Sequence, residues 1–177
     1  MALSAYALPF GLRDVKIYPI DSAGTVGTGV DLPASRTFSF KESEDFQELR
    51  GDDVTIARRG NGPVVAWSLE AGGISLDAYK IIAGGNVASS GVSPNAKKTF
   101  SKLGTDSRPY FKVEGQVISD SGGDFHAVVY KCKSEGEIGG DFGEGQFFVT
   151  ALAGQGIPDI NNKLYDLVQN ETAVAVT

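Results

Sequence analysis

Polar and apolar residues alternate along much of the chain, which is the period-two pattern of β-strands with one buried face. The clearest run is 110–118, where Phe111 and Val113 fall on one face and Lys112 and Glu114 on the other. The same alternation predicts further strands over residues 14–20, 36–42, 53–58, 63–70, 125–133, 146–153 and 171–176. A chain with this many short strands is predicted to be mainly β.

Clusters of glycine and aspartate separate several of these strands and are predicted to form turns. They lie at Gly60-Asn61-Gly62, at 120–124 and at 139–145. The segments 24–29 and 139–145 are also rich in glycine, but neither carries the dinucleotide-binding fingerprint or a P-loop lysine. Neither opens a predicted helix, which is the context that a phosphate-binding loop needs. We therefore interpret both as hairpin turns.

One short helix is predicted after residue 75. Ser75 is a favourable N-cap, and Asp77 in the first turn suits the positive end of the helix dipole. Gly84-Gly85 supplies a C-terminal stop after about nine residues, too short a helix to be stable alone in water. It must dock on a sheet, so the predicted fold is an antiparallel β-sandwich or barrel with one short α-helix.

The length of 177 residues fits one ordinary domain, and no repeat or linker divides the chain. We predict a single domain over 14–177, preceded by an apolar N-terminal arm over 1–13 that lacks a clean strand pattern. The sequence begins without the features of a signal peptide and contains no apolar run long enough for a membrane helix. With only one cysteine, we expect folding in a cytoplasm, without disulfides and without a membrane partner.

Candidate catalytic chemistry is scarce because His126 is the only histidine. His126 and Cys132 are predicted to lie on one face of the strand 125–133, about 20 Å apart, too far for a Cys-His pair. Asp120 and Asp124 could offer carboxylates to calcium, but their spacing departs from the EF-hand loop and a plain turn is favoured. No acidic pair is singled out for glycoside chemistry. We predict no catalytic residues, no cofactor and no metal site.

Charge is segregated along the chain. Residues 42–53 hold six acidic residues and one basic residue, a net charge of −5, whereas residues 97–112 have a net charge of +4. One interpretation is two solvated loops of opposite sign. The other is a pair of complementary surfaces, which would favour head-to-tail association of identical subunits. The candidate contact residues are Glu42, Glu44, Asp45, Phe46, Glu48, Lys97, Lys98 and Lys102.

Several segments resemble the major tail protein, or tail tube protein, of long-tailed siphophages that infect actinobacteria. The resemblance rests on the order and spacing of these segments and on the total length, since no single motif is diagnostic. It covers most of the chain from about residue 36. The matching segments are Gly51-Asp-Asp-Val-Thr-Ile-Ala57, the run Trp67–Gly84, Pro109-Tyr-Phe-Lys-Val-Glu-Gly115, Asp141-Phe-Gly-Glu-Gly-Gln-Phe-Phe148 and Leu164-Tyr-Asp-Leu-Val-Gln-Asn-Glu-Thr-Ala173.

The resemblance implies the tail-tube β-sandwich and a hexameric ring, with rings stacked into a hollow tube through which DNA leaves the capsid. Its implied location is the virion tail, and its implied partners are further copies of itself, the tape measure protein and the tail tip or terminator proteins. The family carries no catalytic residues. Its N-terminal arm and long loops bridge neighbouring subunits, and the corresponding segments here are 1–13 and the acidic loop 42–53.

The net charge of −6 argues against a protein that grips nucleic acid. It is compatible with a tube wall whose carboxylates repel phosphates, so that DNA slides past without binding. Other interpretations remain open. They are a monomeric β-sandwich binding module, for instance for carbohydrate, and a related tail ring or secretion-tube subunit.

Overall fold

The computed structural model describes residues 3–176 and confirms a mainly β, antiparallel fold with one short helix. In chain order the elements are β1 (Pro9–Pro19), β2 (Val30–Asp31), β3 (Ser35–Gly51), β4 (Val54–Gly72), α1 (Leu76–Ala83), β5 (Asn86–Ser90), β6 (Lys97–Ser101), β7 (Phe111–Ser119), β8 (Asp124–Gly139), β9 (Val149–Gly156) and β10 (Tyr165–Asn170).

The main sheet follows the order β2-β1-β7-β8-β9-β4-β3, and β10 joins it by pairing with β8. The first half of β8 lies between β7 and β10, whereas its second half pairs with β9. The long strand β8 therefore belongs to both layers of a sandwich. A separate two-stranded sheet, β5 with β6, lies beside the helix.

The core forms where the inward faces of the two layers meet. Its fully buried members include Val15 from β1, Val113 from β7 and Val65 from β4. Trp67 packs edge-on against Phe111, with ring centroids 5.4 Å apart. A β-sandwich binding module usually presents exposed aromatic side chains. Trp67 is only 2% exposed and therefore cannot serve as one of them.

Helix α1 begins and ends where the sequence predicts. The Oγ atom of Ser75 accepts a hydrogen bond from the Ala78 N–H at 3.3 Å, and Gly84 caps the other end with φ +75°. A left-handed φ favours glycine, which has no Cβ to clash. The helix buries Ile81 and Ile82 against the core, as a helix of this length requires.

The region of β3 and β4 differs from the sequence prediction. The predicted strands 36–42, 53–58 and 63–70 are parts of two long strands, and Gly60-Asn61-Gly62 lies at a register shift within β4 rather than in a turn. Glycine at positive φ serves a bulge as well as a turn, and Gly62 has φ +96°. Residues 42–53 are consequently strand and a tight turn, not an acidic loop.

The two chain ends also differ from expectation. Residues 9–13, assigned to the N-terminal arm, lie in β1, which pairs with β7 from Pro9 onward; Met1 and Ala2 lie outside the described residues. The predicted strand 171–176 is not a strand, and the strand lies just before it as β10. Val174 instead donates its backbone N–H to the Asp124 carboxylate of β8, and its carbonyl accepts a hydrogen bond from the Gln116 side chain of β7.

Candidate interaction surfaces

The acidic segment forms the outer half of a β3–β4 hairpin that leaves the body of the protein. Strand β4 pairs with β9 only from Val65 to Gly72, so residues 43–64, the projecting hairpin, have no third strand in the described chain. Its first arm, residues 43–51, is nine residues long and therefore reaches about 30 Å from the body of the protein. Its tip turns at Asp52 and Asp53, with φ of 49° and 61°. Consecutive positive φ values are typical of the type I′ turns that join hairpin strands.

Large apolar side chains lie exposed along the projecting hairpin. Phe46 is 47% exposed, Leu49 62%, Val54 60% and Ile56 64%. Leu49 and Val54 share one face of the hairpin, and Phe46 lies on the other. An isolated two-stranded hairpin is at best marginally stable in water, and exposed apolar side chains of this kind are characteristic of a binding surface. The hairpin therefore has the features of a segment that packs on a partner.

The charges of the projecting hairpin are more balanced than the segment 42–53 alone indicates. Arg58 and Arg59 lie on the returning strand, opposite Glu48 and Gln47. Glu48 forms ion pairs with Arg58 at 3.8 Å and with Arg50 at 3.9 Å. The second strand thus neutralises part of the predicted negative surface.

The remaining acidic candidates have varied surroundings. Glu42 accepts a hydrogen bond from the Tyr165 hydroxyl at 2.8 Å, and Glu44 accepts one from the Gly62 N–H at 3.2 Å. Asp45 is exposed and forms no ion pair in the described part of the chain. Phe46 lies beneath the guanidinium of Arg58, 4.3 Å from its ring centroid.

The predicted lysine cluster supports helix α1. Lys98 forms an ion pair with Asp77 in the first helical turn. Lys102 donates from Nζ to the carbonyl of Ala83 at the helix C-terminus and to the carbonyl of Asp106 at 2.9 Å. Cations favour that end of a helix. Lys97 remains exposed on β6 with no ion pair among residues 3–176, so it is the lysine of this set that is free for a partner.

No hydrogen bond or ion pair in the described residues joins the acidic and basic candidates to each other. The complementary-charge hypothesis therefore concerns two separate surfaces, and it stays a prediction about contacts between copies.

A buried polar cluster, not predicted from the sequence, lies on the opposite side of β7 and β8 from the core. Asp124 is fully buried. Its carboxylate accepts hydrogen bonds from Gln116 Nε2 at 2.6 Å, His126 Nε2 at 2.9 Å, Asn170 Nδ2 at 2.8 Å and the Val174 N–H at 2.9 Å. Burial opposes the charged form, but these four donors together lower the pKa of Asp124 to about 2. The cluster holds the C-terminal segment 171–176 against the sheet.

His126 is held between two carboxylates in this cluster. Its Nδ1 lies 3.1 Å from Glu114 Oε1, and its Nε2 lies 2.9 Å from Asp124 Oδ2. Burial favours the neutral ring, but the two carboxylates outweigh it and raise the pKa of His126 above its ordinary value. Both ring nitrogens are thus already engaged by carboxylates of the same chain.

The predicted common face of His126 and Cys132 is wrong. The register between β7 and β8 shifts between the pairs Val113–Val129 and Phe111–Cys132. The extra residue turns Cys132 toward the core, whereas His126 faces the buried polar cluster. Burial raises the pKa of the Cys132 thiol, so it remains in the unreactive thiol form.

The described residues show neither a metal site nor a membrane-spanning helix. No group of three or more His, Cys, Asp and Glu side chains could hold a metal ion. No described helix combines the length and the apolar character needed to cross a membrane.

Comparison with known proteins does not assign the chain to a family. A scan against protein-family models gave no match, and a search of curated proteins gave no significant match.

Proposed function

We propose that this protein is a structural subunit that assembles with copies of itself into the tail tube of a siphophage. The observation that carries the proposal is the projecting hairpin, a two-stranded extension with exposed apolar side chains and no third strand among the described residues. A monomer would leave it in water, whereas an assembly would bury it. The resemblance of the sequence to tail tube proteins supplies the kind of assembly.

In this proposal six copies form a ring, and rings stack into a hollow tube that belongs to the virion tail. The projecting hairpin of one copy packs on a neighbouring copy. The tube would meet the tape measure protein inside and the tail tip or terminator proteins at its ends. The net charge of −6 supports a lumen that repels DNA phosphates and does not bind them. A structure of the assembled tube with a net positive lumen would contradict that part.

The test is electron microscopy of the purified protein at several concentrations and salt strengths. We expect hollow tubes or stacked rings from the native chain. Replacing residues 45–62 with an Asn-Gly turn removes the projecting hairpin beyond the Glu44–Pro63 pair and should abolish them. The matched control replaces residues 91–96 with Asn-Gly beyond the Ser90–Lys97 pair of the β5–β6 hairpin, and should still assemble.

Three results separate the interpretations. A native chain that stays monomeric under every condition would contradict self-assembly and favour a binding module. Closed single rings would favour a tail terminator or distal ring. Tubes that form equally well without the projecting hairpin would remove the observation on which the proposal rests.

A further inference from the structure

A cavity of about 370 Å³ opens between the loop 20–26 and the loop that follows β9. Tyr110 and Tyr130 form part of its lining, so we call it the tyrosine pocket. Ile160 lies close to Gly24, where an added Cβ would come 2.7 Å from an Ile160 methyl group, so the two loops are in tight contact. The pocket is therefore a formed hollow with largely apolar walls, large enough for an aromatic side chain.

Two lysines lie beside one wall of the tyrosine pocket, whose lining carries charges of both signs. The ammonium groups of Lys131 and Lys133 lie 4.9 Å and 5.0 Å from the ring centroid of Tyr110. Neither lysine forms an ion pair with a carboxylate in the described residues. Asp21 and Asp159 also line the pocket. Their carboxylates accept backbone N–H groups of their own loops, which offset part of their charge.

The opposite end of the β8–β9 hairpin carries features complementary to this pocket. The loop 140–148, which we call the Phe147 loop, contains Asp141 and Glu144 and no basic residue. Phe142 is 85% exposed and packs on Phe148, with ring centroids 4.8 Å apart. Phe147 is 95% exposed. Phe147 borders a cavity beside Arg36, but at this exposure its ring is not packed within its own subunit. A large aromatic side chain left in solvent is a candidate anchor for a partner.

The two features cannot meet within one chain. The Phe147 loop immediately precedes Val149 at the start of β9, and the tyrosine pocket lies beyond Gly156 at its end. The eight residues of this strand span about 25 Å. A contact between the loop and the pocket therefore requires a second copy arranged head to tail.

We propose that the Phe147 loop of one copy docks in the tyrosine pocket of the next copy. Phe147 enters the pocket as an aromatic anchor, while Asp141 and Glu144 approach Lys131 and Lys133 at its mouth. Anchors of this kind supply most of the binding energy of many interfaces, and the charges favour encounter and fix orientation. The contact is heterologous, so each copy keeps one free loop or pocket for a further copy. The proposal rests on the proposed self-assembly and assigns residues to one of its contacts.

Disulfide trapping tests this contact directly. Gln146→Cys, an exposed position next to Phe147 that keeps the anchor, and Ile160→Cys are prepared as separate variants; the native Cys132 is fully buried and does not interfere. Mixed and oxidised at micromolar concentration, they should form a covalent dimer at least about tenfold faster than a control pair, because docking raises the local thiol concentration. The control pairs Ile160→Cys with Val92→Cys, at a position 80% exposed on the β5–β6 connection.

Two further variants establish the cause of trapping. A chain with both Gln146→Cys and Ile160→Cys should give a ladder of linked copies, as a head-to-tail contact requires. Adding Lys131→Glu and Lys133→Glu to the Ile160→Cys chain should slow trapping several-fold at low salt, and the difference should shrink as salt is raised. Trapping no faster than in the control pair would overturn the docking, as would a rate that ignores the lysine substitutions.

Electron microscopy of the same samples keeps this proposal distinct from the proposed function. Native tubes together with control-level trapping would overturn the docking and leave the tail tube role in place. Specific trapping in a chain that forms only closed rings or short oligomers would support the docking and contradict the tube.

Discussion

The two halves of β4 share one strand and similar residues, yet they differ sharply in burial. Val65 is fully buried, whereas Val54 is 60% exposed. The inner half lies between β3 and β9 and contributes to the core cluster, which also contains helix residues, but the outer half has only β3 beside it. The inner half therefore stabilises the subunit, and the outer half is available to stabilise an assembly.

The largest difference in the free energy of unfolding is expected between substitutions of a buried and an exposed aspartate. Asp124→Asn replaces a buried carboxylate that neutralises His126, and breaking a buried pair of this kind costs about 3 kcal/mol or more. Asp45→Asn on the projecting hairpin is the matched control, and an exposed change should stay within about 0.5 kcal/mol. Urea denaturation of the dissociated subunit measures both. Equal effects would mean that the buried polar cluster contributes no more to folding than a surface acid.

The next prediction uses the two valines of β4. Val65→Ala removes two buried methyl groups and leaves a cavity, so it should lower the free energy of unfolding by about 2 kcal/mol. Val54→Ala should leave it within about 0.5 kcal/mol, because the side chain is largely in solvent. In assembled protein, Val54→Ala should lower thermal stability, because the partner then buries that position. A Val54→Ala effect confined to the dissociated subunit would break the comparison.

The pH dependence of stability should come mainly from the body of the protein. The folded pKa of Asp124 is depressed to about 2, so its contribution is present above its unfolded pKa and is lost as pH falls toward 2. The pKa of His126 is raised, so its contribution is full below its unfolded pKa and is lost as pH rises through the folded value. Stability from this pair is therefore greatest in mildly acidic solution.

Denaturation across pH in native protein and in His126→Gln checks this prediction. The variant should lose the decline in stability that the native chain shows as pH rises above the unfolded pKa of histidine, about 6.5. Identical slopes in that range would assign the decline to other groups. Since Glu114 also pairs with Lys112 at 3.0 Å, this cluster keeps a second ion pair when His126 is replaced.

The smallest expected effect is that of Lys97→Glu. The Lys97 side chain is exposed and forms no ion pair among residues 3–176, so the free energy of unfolding of the subunit should change by less than about 0.5 kcal/mol. If complementary charges join copies, assembly should weaken at low salt and the difference should vanish at high salt. Lys98→Glu is a poorer probe, because it also removes the ion pair with Asp77. Assembly by Lys97→Glu that matches the native chain at every salt strength would remove Lys97 from the contact.

The features predicted correctly from the sequence are the local ones. The alternation of polar and apolar residues predicted the fold class, and Ser75 with Gly84 predicted the two ends of the helix. Residues close together in sequence determine both features. Gly60-Asn61-Gly62 misled because a turn and a bulge need the same positive φ. The register shift in β8 left no pattern in the sequence, so the face of Cys132 was predicted wrongly.

The candidate surfaces were harder to predict because they depend on residues far apart in sequence. Lys98 meets Asp77 from 21 positions away, and Val174 meets Asp124 from 50 positions away. The sequence did contain a signal for the second contact. The run 171–176 was predicted to be a half-buried strand. Val176 is indeed buried, but the described part of this segment does not pair with another strand. Burial was thus predicted for a segment whose hydrogen bonds go to side chains.

The continuity of β4 has a mechanical consequence. A pull on the tip of the projecting hairpin along its axis passes directly into the ladder that joins β4 to β9 from Val65 to Gly72. That ladder is then loaded in shear, so its rungs share the tension, whereas a flexible joint would let them open one after another. Force applied to the hairpin is therefore transmitted to the sandwich itself and is resisted by the whole β4–β9 pairing.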